Sequence, residues 1–420
     1  MSVLVILAAI VLYYTSGRRY QSAILTVLSI YVYCLVAKWN IVVIMPVALM
    51  TGGCAYLLGN RKSKILIIIP IMVLVAGFLI LRHNIVGLAL PLGYSVLAFT
   101  SLSLLIDQYR EPSKYALIDI FSYLIFFPKI FAGPIERAHD FIKSEEKPFD
   151  KGTFYIGIKY LIYAAFLKLV ISDMLASTDM SGLGFNLLMQ MIIYAIAFFF
   201  DFWAYTLMAI GVGKLFGYSL SVNFSRPYYS TSFRDFWHRW NITLGTWLRD
   251  YIYIPLGGNR LPGIKWGIII LLVFIISGLW HGSTLSFIVW GLCHGSLLIA
   301  ERTLKPKTLS LWLQGVYSTF VFFIVSLLWQ LFIVDSMESA LQRYECLFVS
   351  QRTHYITVLQ VLICGLSYVV FTSKKVFGLI QHCSENKTII VCEVTMLTLM
   401  LSVLIMFNCS LSFNFFYFRF

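Results

Sequence analysis

A single histidine, His281, stands inside a long uncharged stretch and is the strongest candidate for chemistry in this sequence. No Lys, Arg, Asp or Glu occurs between Trp266 and His294. An ionisable side chain inside an apolar segment is costly and usually marks a function or a buried partner. Imidazole can take a proton from a hydroxyl nucleophile and return it later, so His281 suits general acid–base catalysis, with a satisfied core histidine as the alternative.

A second polar region, residues 223–265, contains Arg234, Trp237, His238, Trp240 and Arg249. This stretch is too polar to face lipid and too aromatic for an ordinary solvated loop. Polar or irregular backbone at membrane depth is tolerated only where it is buried in protein or lines a water-filled cavity. The pattern therefore predicts a re-entrant or cavity-lining element, with an interfacial amphipathic helix as the alternative.

Asn241 is the residue of this region that could assist His281. It follows His238 by three positions, which places both on one face if the stretch is helical. Its amide could donate a hydrogen bond to a developing oxyanion, orient a ligand, or satisfy a buried backbone group. The sequence leaves these alternatives open.

The arginines of the same region are candidates for binding a phosphate or carboxylate. Arg234 precedes Asp235 and Arg249 precedes Asp250, so structural ion pairs are the competing interpretation. The residues predicted to bind substrate are Arg234, Trp237, His238, Trp240, Arg249 and Trp280.

The elements that position these residues must be membrane helices. Hydrophobic residues make up 60% of the chain and charged residues only 12%, against about 25% charged residues in soluble domains. Apolar runs long enough to cross a bilayer, about 20 residues each, predict roughly ten to twelve spans in an all-α integral membrane protein. We expect one polytopic domain over 1–420, with N-terminal spans in 1–114, a catalytic core in 115–300 and C-terminal spans in 301–420.

The basic residues indicate topology rather than nucleic-acid binding. The net charge of +13 is spread over short loops between apolar runs, where it sets orientation and meets anionic lipid. The loops after the first, third and fifth runs carry seven Lys and Arg residues, against two after the second and fourth. The positive-inside rule then places the N-terminus outside. Beyond residue 130 the loop charges no longer alternate clearly, so they do not indicate on which side each loop lies.

Several other functions lack their signatures. GxSxG, P-loop, dinucleotide and HExxH patterns are absent, and the eight cysteines have no metal-ligand spacing, so we expect no metal site. His294 follows His281 by thirteen residues, about 220° around an undistorted helix, so the two histidines need not share a site.

Three segments together resemble the membrane-bound O-acyltransferase (MBOAT) family: residues 126–141, 232–260 and 277–295. The IPLGGNR segment and the closing FNFFYFRF further resemble its bacterial alginate O-acetylase-like branch. The resemblance implies a ring of helices, with re-entrant or interfacial helices, around a central funnel. It matches His281 to the family's near-invariant histidine and Asn241 to a second signature position, which is His in most of that branch.

The same resemblance implies a function. A thioester donor, acetyl-CoA or an acyl carrier, would enter from the cytoplasmic side and no cofactor would be bound. The acceptor would be an extracytoplasmic glycan, reached directly or through an outer-face partner protein, in the bacterial cytoplasmic (inner) membrane. His281 would act as the base and Asn241 would stabilise the oxyanion.

Other functions remain as alternatives. Within the enzyme class, the alternative is D-alanyl transfer to teichoic acid. A polytopic transporter explains the spans and the intramembrane histidine, but it does not explain the Trp-rich segment, and no inverted repeat is visible. A non-catalytic scaffold predicts that His281→Ala has no effect.

Overall fold

A computed structural model of the chain describes residues 3–85, 87–142, 148–176, 183–304, 310–334, 336–349, 355–381 and 387–406. By its internal contacts the chain divides into two compact units. The first comprises residues 1–161 and 206–221, and the second comprises residues 162–205 and 222–420. The single-domain organisation expected from the sequence stays a prediction, and the closing FNFFYFRF segment lies outside the described residues.

The first unit is built from helices that begin near the N-terminus. They are α1 (Val3–Thr15), α2 (Arg18–Ala37), α3 (Ile41–Leu58), α4 (Ile65–Arg82), α5 (Tyr94–Arg110), α6 (Leu117–Ile125), α7 (Phe127–Ile130), α8 (Ala138–Phe141) and most of α9 (Lys151–Phe166). Gly157 of α9 packs directly on the final turns of α11 (Gly184–Leu215), because a Cβ on Gly157 would lie 2.9 Å from the Gly211 carbonyl oxygen.

The second unit holds the end of α9, the first part of α11 and the remaining helices that the structure describes. They are α10 (Asp173–Ala176), α12 (Phe233–Arg239), α13 (Ile242–Leu248), α14 (Gly263–His281), α15 (Leu285–Leu304), α16 (Leu311–Ile333), α17 (Met337–Cys346), α18 (Tyr355–Thr372), α19 (Lys374–Gln381) and α20 (Lys387–Met406). Two π-helical turns, Leu167–Ser172 and Arg249–Tyr253, extend α9 and α13.

The described residues contain seven helical segments that are long and apolar enough to cross a membrane, or eight if the bent α18–α19 pair is one span. This confirms an all-helical, multi-pass membrane protein. The count is lower than the ten to twelve runs of the sequence for local reasons. One candidate, Tyr20–Leu58, covers both α2 and α3, and the run at 115–132 is divided into the short α6 and α7. With 13 and 17 residues, α1 and α5 are shorter than any of the seven candidates. The helix α15 carries Glu301 and Arg302.

A buried lysine is the least expected feature of the first unit. Lys129 of α7 has no exposed surface, and its ammonium nitrogen lies 3.6 Å from the centre of the Tyr123 ring. Glu136, also buried, accepts hydrogen bonds from the Ser221 backbone N–H and hydroxyl. Burial lowers the pKa of Lys129, and the nearby Glu136 carboxylate partly opposes that shift.

This lysine predicts a pH-dependent stability. Burial holds the pKa of Lys129 in the folded chain below its value of about 10.4 in an unfolded chain. Between the folded and unfolded pKa values the unfolded state binds more protons, so the free energy of unfolding rises with pH in that range. Unfolding of the detergent-solubilised protein, followed from pH 7 to 9, should show this rise. Lys129→Met should reduce the slope of the unfolding free energy against pH by about 1 kcal/mol per pH unit. An unchanged slope would show that Lys129 does not cause the pH dependence.

Candidate active site

His281 is positioned by a tight helical hairpin. It is the last residue of α14, and the chain reverses over residues 282–284 before α15 begins at Leu285. Glycines allow the two helices to touch: a Cβ on Gly278 would lie 2.3 Å from the Phe287 carbonyl oxygen, and one on Gly291 would lie 2.3 Å from that of Phe274. The glycines near His281 therefore serve close helix packing.

This close packing predicts that one added methyl group at Gly278 strongly lowers the thermal stability of the protein. Gly278→Ala should force α14 and α15 apart, because the added Cβ collides with the Phe287 backbone. Gly315→Ala in α16 is the matched control, since nothing lies within 4 Å of its Cβ position and alanine favours helix by up to about 1 kcal/mol. Thermal unfolding in detergent should show a lowered midpoint for Gly278→Ala alone; equal midpoints would show that the hairpin can relax.

His281 lies among aromatic rings and is only 9% exposed. Its ring centre is 4.4 Å from that of Trp280, 4.7 Å from that of Phe332 and 5.6 Å from that of Trp290. These rings shield the imidazole from bulk water. Such a site favours proton transfer from a bound hydroxyl to the imidazole and limits hydrolysis of a reactive ester by water.

The polar segment 223–265 folds as two short helices, α12 and α13, joined at Asn241. The backbone around Asn223 fixes this joint: the Ile242 N–H donates to the Asn223 carbonyl at 3.0 Å, and the Thr243 hydroxyl donates to the Asn223 side-chain oxygen at 2.6 Å. Asn241 itself has φ 42° and ψ 54°, the left-handed conformation. Asparagine is among the few residues that adopt this conformation at low cost.

A cavity of about 840 Å³ opens along this segment. Arg234, Trp237, His238, Asn241 and Arg249 all line it, so the structure brings these five predicted residues together. The opposite wall is one face of α14, formed by Trp266, Ile270, Val273, Phe274 and Ser277. The cavity-lining prediction for residues 223–265 agrees with this arrangement.

Three of the predicted residues do not line the cavity: Trp240, Trp280 and His281. Trp240 packs in the core, with its ring centre 4.7 Å from that of Trp329. His281 follows Ser277 by one helical turn, so it continues the α14 face that forms the cavity wall. The cavity therefore points along α14 towards His281.

The cavity lining carries more positive than negative charge. Arg234, Arg249 and Arg302 face a single carboxylate, Glu301. Glu301 is already engaged, because it accepts hydrogen bonds from the Phe233 and Arg234 N–H groups at 3.0 Å and from the Tyr317 hydroxyl at 2.8 Å. The arrangement suits an anionic ligand.

Of the two ion pairs expected from the sequence, Arg234–Asp235 and Arg249–Asp250, the structure contains only the second. Arg249 pairs with Asp250 at 2.8 Å. Asp235 instead pairs with Arg239 at 2.8 Å, one helical turn later, so the expected Arg234–Asp235 pair is replaced. The reason is helical geometry: side chains four positions apart lie on one face, whereas adjacent ones diverge. Arg234 is thereby left to line the cavity.

The sequence analysis did not predict that Trp290 contacts His281 or that His294 contacts the same tryptophan. The expectation that the two histidines need not share a site assumed one continuous helix. Because the chain reverses after His281, both histidines contact the same ring: Trp290 lies 5.6 Å from His281 and 5.0 Å from His294. Trp290 and His294 lie four positions apart in the sequence, and this spacing would have predicted that they share one face of a helix.

The fold and the site define a membrane-embedded protein with a buried histidine one helical turn beyond the wall of an arginine-containing cavity. The model of the family described as MBOAT, membrane-bound O-acyltransferase, matches residues 7–334. The chain belongs to this family. The resemblance noted in the sequence is therefore confirmed.

Curated relatives specify the chemistry further. The chain is 32% identical over 371 residues to a probable alginate O-acetylase of Pseudomonas fluorescens, covering 80% of this chain and 72% of the relative. It is 35% identical over 182 residues to a peptidoglycan O-acetyltransferase of Helicobacter pylori, covering 40% and 34%. It is 32% identical over 225 residues to a teichoic acid D-alanyltransferase of Bacillus subtilis, covering 48% and 55%.

The matches are partial in length. The chain spans between 52% and 76% of the alginate O-acetylases it matches. The family and the names of these relatives support an O-acetyltransferase.

Proposed function

We propose that this protein transfers an acetyl group from a thioester donor on the cytoplasmic side to a hydroxyl of an extracytoplasmic polysaccharide. The transfer is direct or passes through a partner protein. Support comes from the family and from two relatives named as O-acetyltransferases or O-acetylases. The substrate-level proposal goes beyond these names.

The observation that carries the proposal is the continuity of α14. Its cavity face runs from Trp266 to Ser277 and reaches His281 one turn later. A long donor molecule lying along this face can keep its charged end at the cavity mouth while its reactive end reaches the histidine. Catalysis by proximity requires such alignment of the reacting groups.

The reaction then has a defined proton path. His281 accepts the proton of the attacking hydroxyl as the new C–O bond forms at the thioester carbonyl. The Asn241 amide donates to the oxyanion of the tetrahedral intermediate. When the C–S bond breaks, the imidazolium returns its proton to the leaving thiolate. The products are an O-acyl ester and a free thiol, and His281 is neutral again.

The charge of the cavity favours a phosphate-bearing donor. Arg234, Arg249 and Arg302 offer guanidinium groups, which bind phosphate oxygens in bidentate geometry. Coenzyme A and the phosphopantetheine arm of a carrier protein both carry phosphate. Both donors fit this proposal.

The orientation follows from the charge of the loops. We place the protein in the bacterial cytoplasmic (inner) membrane with its N-terminus extracytoplasmic, since seven basic residues against two favour the cytoplasmic side for the odd loops. Anionic lipid headgroups contact these loops. The acceptor and an outer-face partner protein then approach from the opposite side.

The test measures base-labile ester on purified envelope glycans from native, deletion and complemented strains. We expect acetyl ester to disappear in the deletion strain and to return with the native chain. Normal ester in a strain that lacks any outer-face partner would overturn the partner proposal. Ester that is unchanged in the deletion strain would overturn the glycan acceptor.

D-Alanyl transfer to teichoic acid is the second candidate, favoured by the Bacillus subtilis relative. The same assay separates the two, because mild base releases acetate in one case and D-alanine in the other. A copurifying carrier protein on the cytoplasmic side would also favour D-alanyl transfer.

A further inference from the structure

His294 is a fully buried histidine that the proposed reaction does not use. It lies in α15 with no exposed surface. Its ring centre is 4.9 Å from that of Trp237 and 5.0 Å from that of Trp290, with both rings nearly edge-on to it. Trp237 and Trp290 also contact each other, at 5.6 Å. We call these three residues the His294 recess.

The polar atoms of the His294 recess have no protein partners. Within the described part of the chain, both imidazole nitrogens of His294 and the indole N–H groups of Trp237 and Trp290 are buried without a hydrogen bond. Buried polar groups are nearly always paired, so each exception needs an explanation. Four such atoms on three touching side chains point to a ligand rather than to chance.

The balance of donors and acceptors identifies the kind of ligand. A neutral imidazole has one donor and one acceptor, and each indole has one donor. The recess therefore offers three donors against one acceptor. Its natural ligand is an uncharged group that mainly accepts hydrogen bonds. An amide fits three of these four atoms, because its oxygen accepts two hydrogen bonds and its N–H can donate to the acceptor nitrogen of His294.

The position of the recess relates it to the route of the substrate. Trp237 lines the cavity. Trp290 contacts both histidines: its ring centre lies 5.0 Å from that of His294 and 5.6 Å from that of His281. The aromatic rings of the His294 recess do not favour an anion. The arginines, which do favour an anion, line the cavity instead. Trp237 and Trp290 therefore connect His294 both to the cavity and to the reacting histidine.

We propose that the His294 recess binds an amide of the thioester donor's arm and so sets the position of the thioester relative to His281. The proposal rests on the proposed function, because it requires a thioester donor. Coenzyme A and carrier proteins share this amide-bearing pantetheine arm, so the recess recognises the chemistry that the two donors have in common. His294 is a substrate-binding residue in this assignment.

The experiment varies the donor and the recess together. Membranes that contain the full chain and its acceptor receive acetyl-CoA, an acetyl-loaded carrier protein, S-acetyl-N-acetylcysteamine, which has one amide, or S-pentyl thioacetate, which has none. Release of free thiol measures turnover of every donor. Acetyl-CoA and the carrier protein distinguish the two sources of the arm.

His294→Phe keeps an aromatic ring and removes both nitrogens. We expect it to lower kcat/KM for each amide-bearing donor that the native protein uses by about 10- to 100-fold, as for one or two lost hydrogen bonds. Turnover of S-pentyl thioacetate should stay within about 3-fold, since that donor makes no such bond. Trp237→Phe should show the same selectivity, whereas His139→Phe, at an exposed position, should leave every donor unaffected.

Each other outcome overturns the assignment. An equal loss for all donors would show that His294 acts only on the fold or on His281, and no loss would show that the recess has no part in binding the donor. If His294→Phe does not fold, Trp237→Phe supplies the same comparison. If the native protein turns over none of the donors, the thioester reaction itself fails, and the recess proposal fails with it.

Discussion

Replacing His281 by alanine will lower acyl transfer by about 100- to 10,000-fold, the range expected when a general acid–base is removed. The physical reason is that His281 is the only histidine of α14, the helix whose face forms the cavity wall. His281→Gln should be equally impaired, because an amide keeps polarity and much of the volume but cannot carry the proton. Ester formed on the purified glycan, at matched membrane levels of protein, is the measurement.

His139→Gln is the matched control for this prediction. His139 lies in α8, its side chain is 68% exposed, and it faces Asp140 rather than the cavity. We expect native transfer from it. Full restoration of ester by His281→Ala would make the catalytic assignment wrong and would favour a scaffold or transport role.

Asn241→Gly will lower transfer by about 100- to 1,000-fold if the amide stabilises the oxyanion. Glycine is the informative replacement, because it adopts the left-handed conformation of this position without strain. Alanine or valine would add a backbone cost and mix the two effects. The loss should appear in kcat rather than in KM, since the hydrogen bond forms to the transition state.

Asn84→Gly is the control for the backbone substitution. Asn84 also has a positive φ, 52°, but it follows α4 at an exposed position. Its replacement should leave transfer unchanged. A loss confined to KM in Asn241→Gly would instead assign Asn241 to substrate orientation, and an unchanged rate would remove it from the active site.

Asn241 also shows why the sequence left its role open. Its residue type suits an oxyanion donor, a ligand contact and a helix joint equally. In the structure it forms the joint between α12 and α13 and lines the cavity at the same time. The pairing of its neighbours with Asn223, which is distant in sequence, holds that joint. Local spacing contains no information about such a pairing.

The sequence by itself determined the membrane class, the all-helical fold and the choice of His281, because hydropathy over a span and an isolated ionisable residue are local properties. It also predicted which polar segment lines a cavity. Only the tertiary structure decided that Trp240 belongs to the core, that Asp235 pairs with Arg239, and that His294 and His281 share Trp290. The physical reason is the reversal of the chain after His281, which brings together faces of two helices that a single helical wheel holds apart.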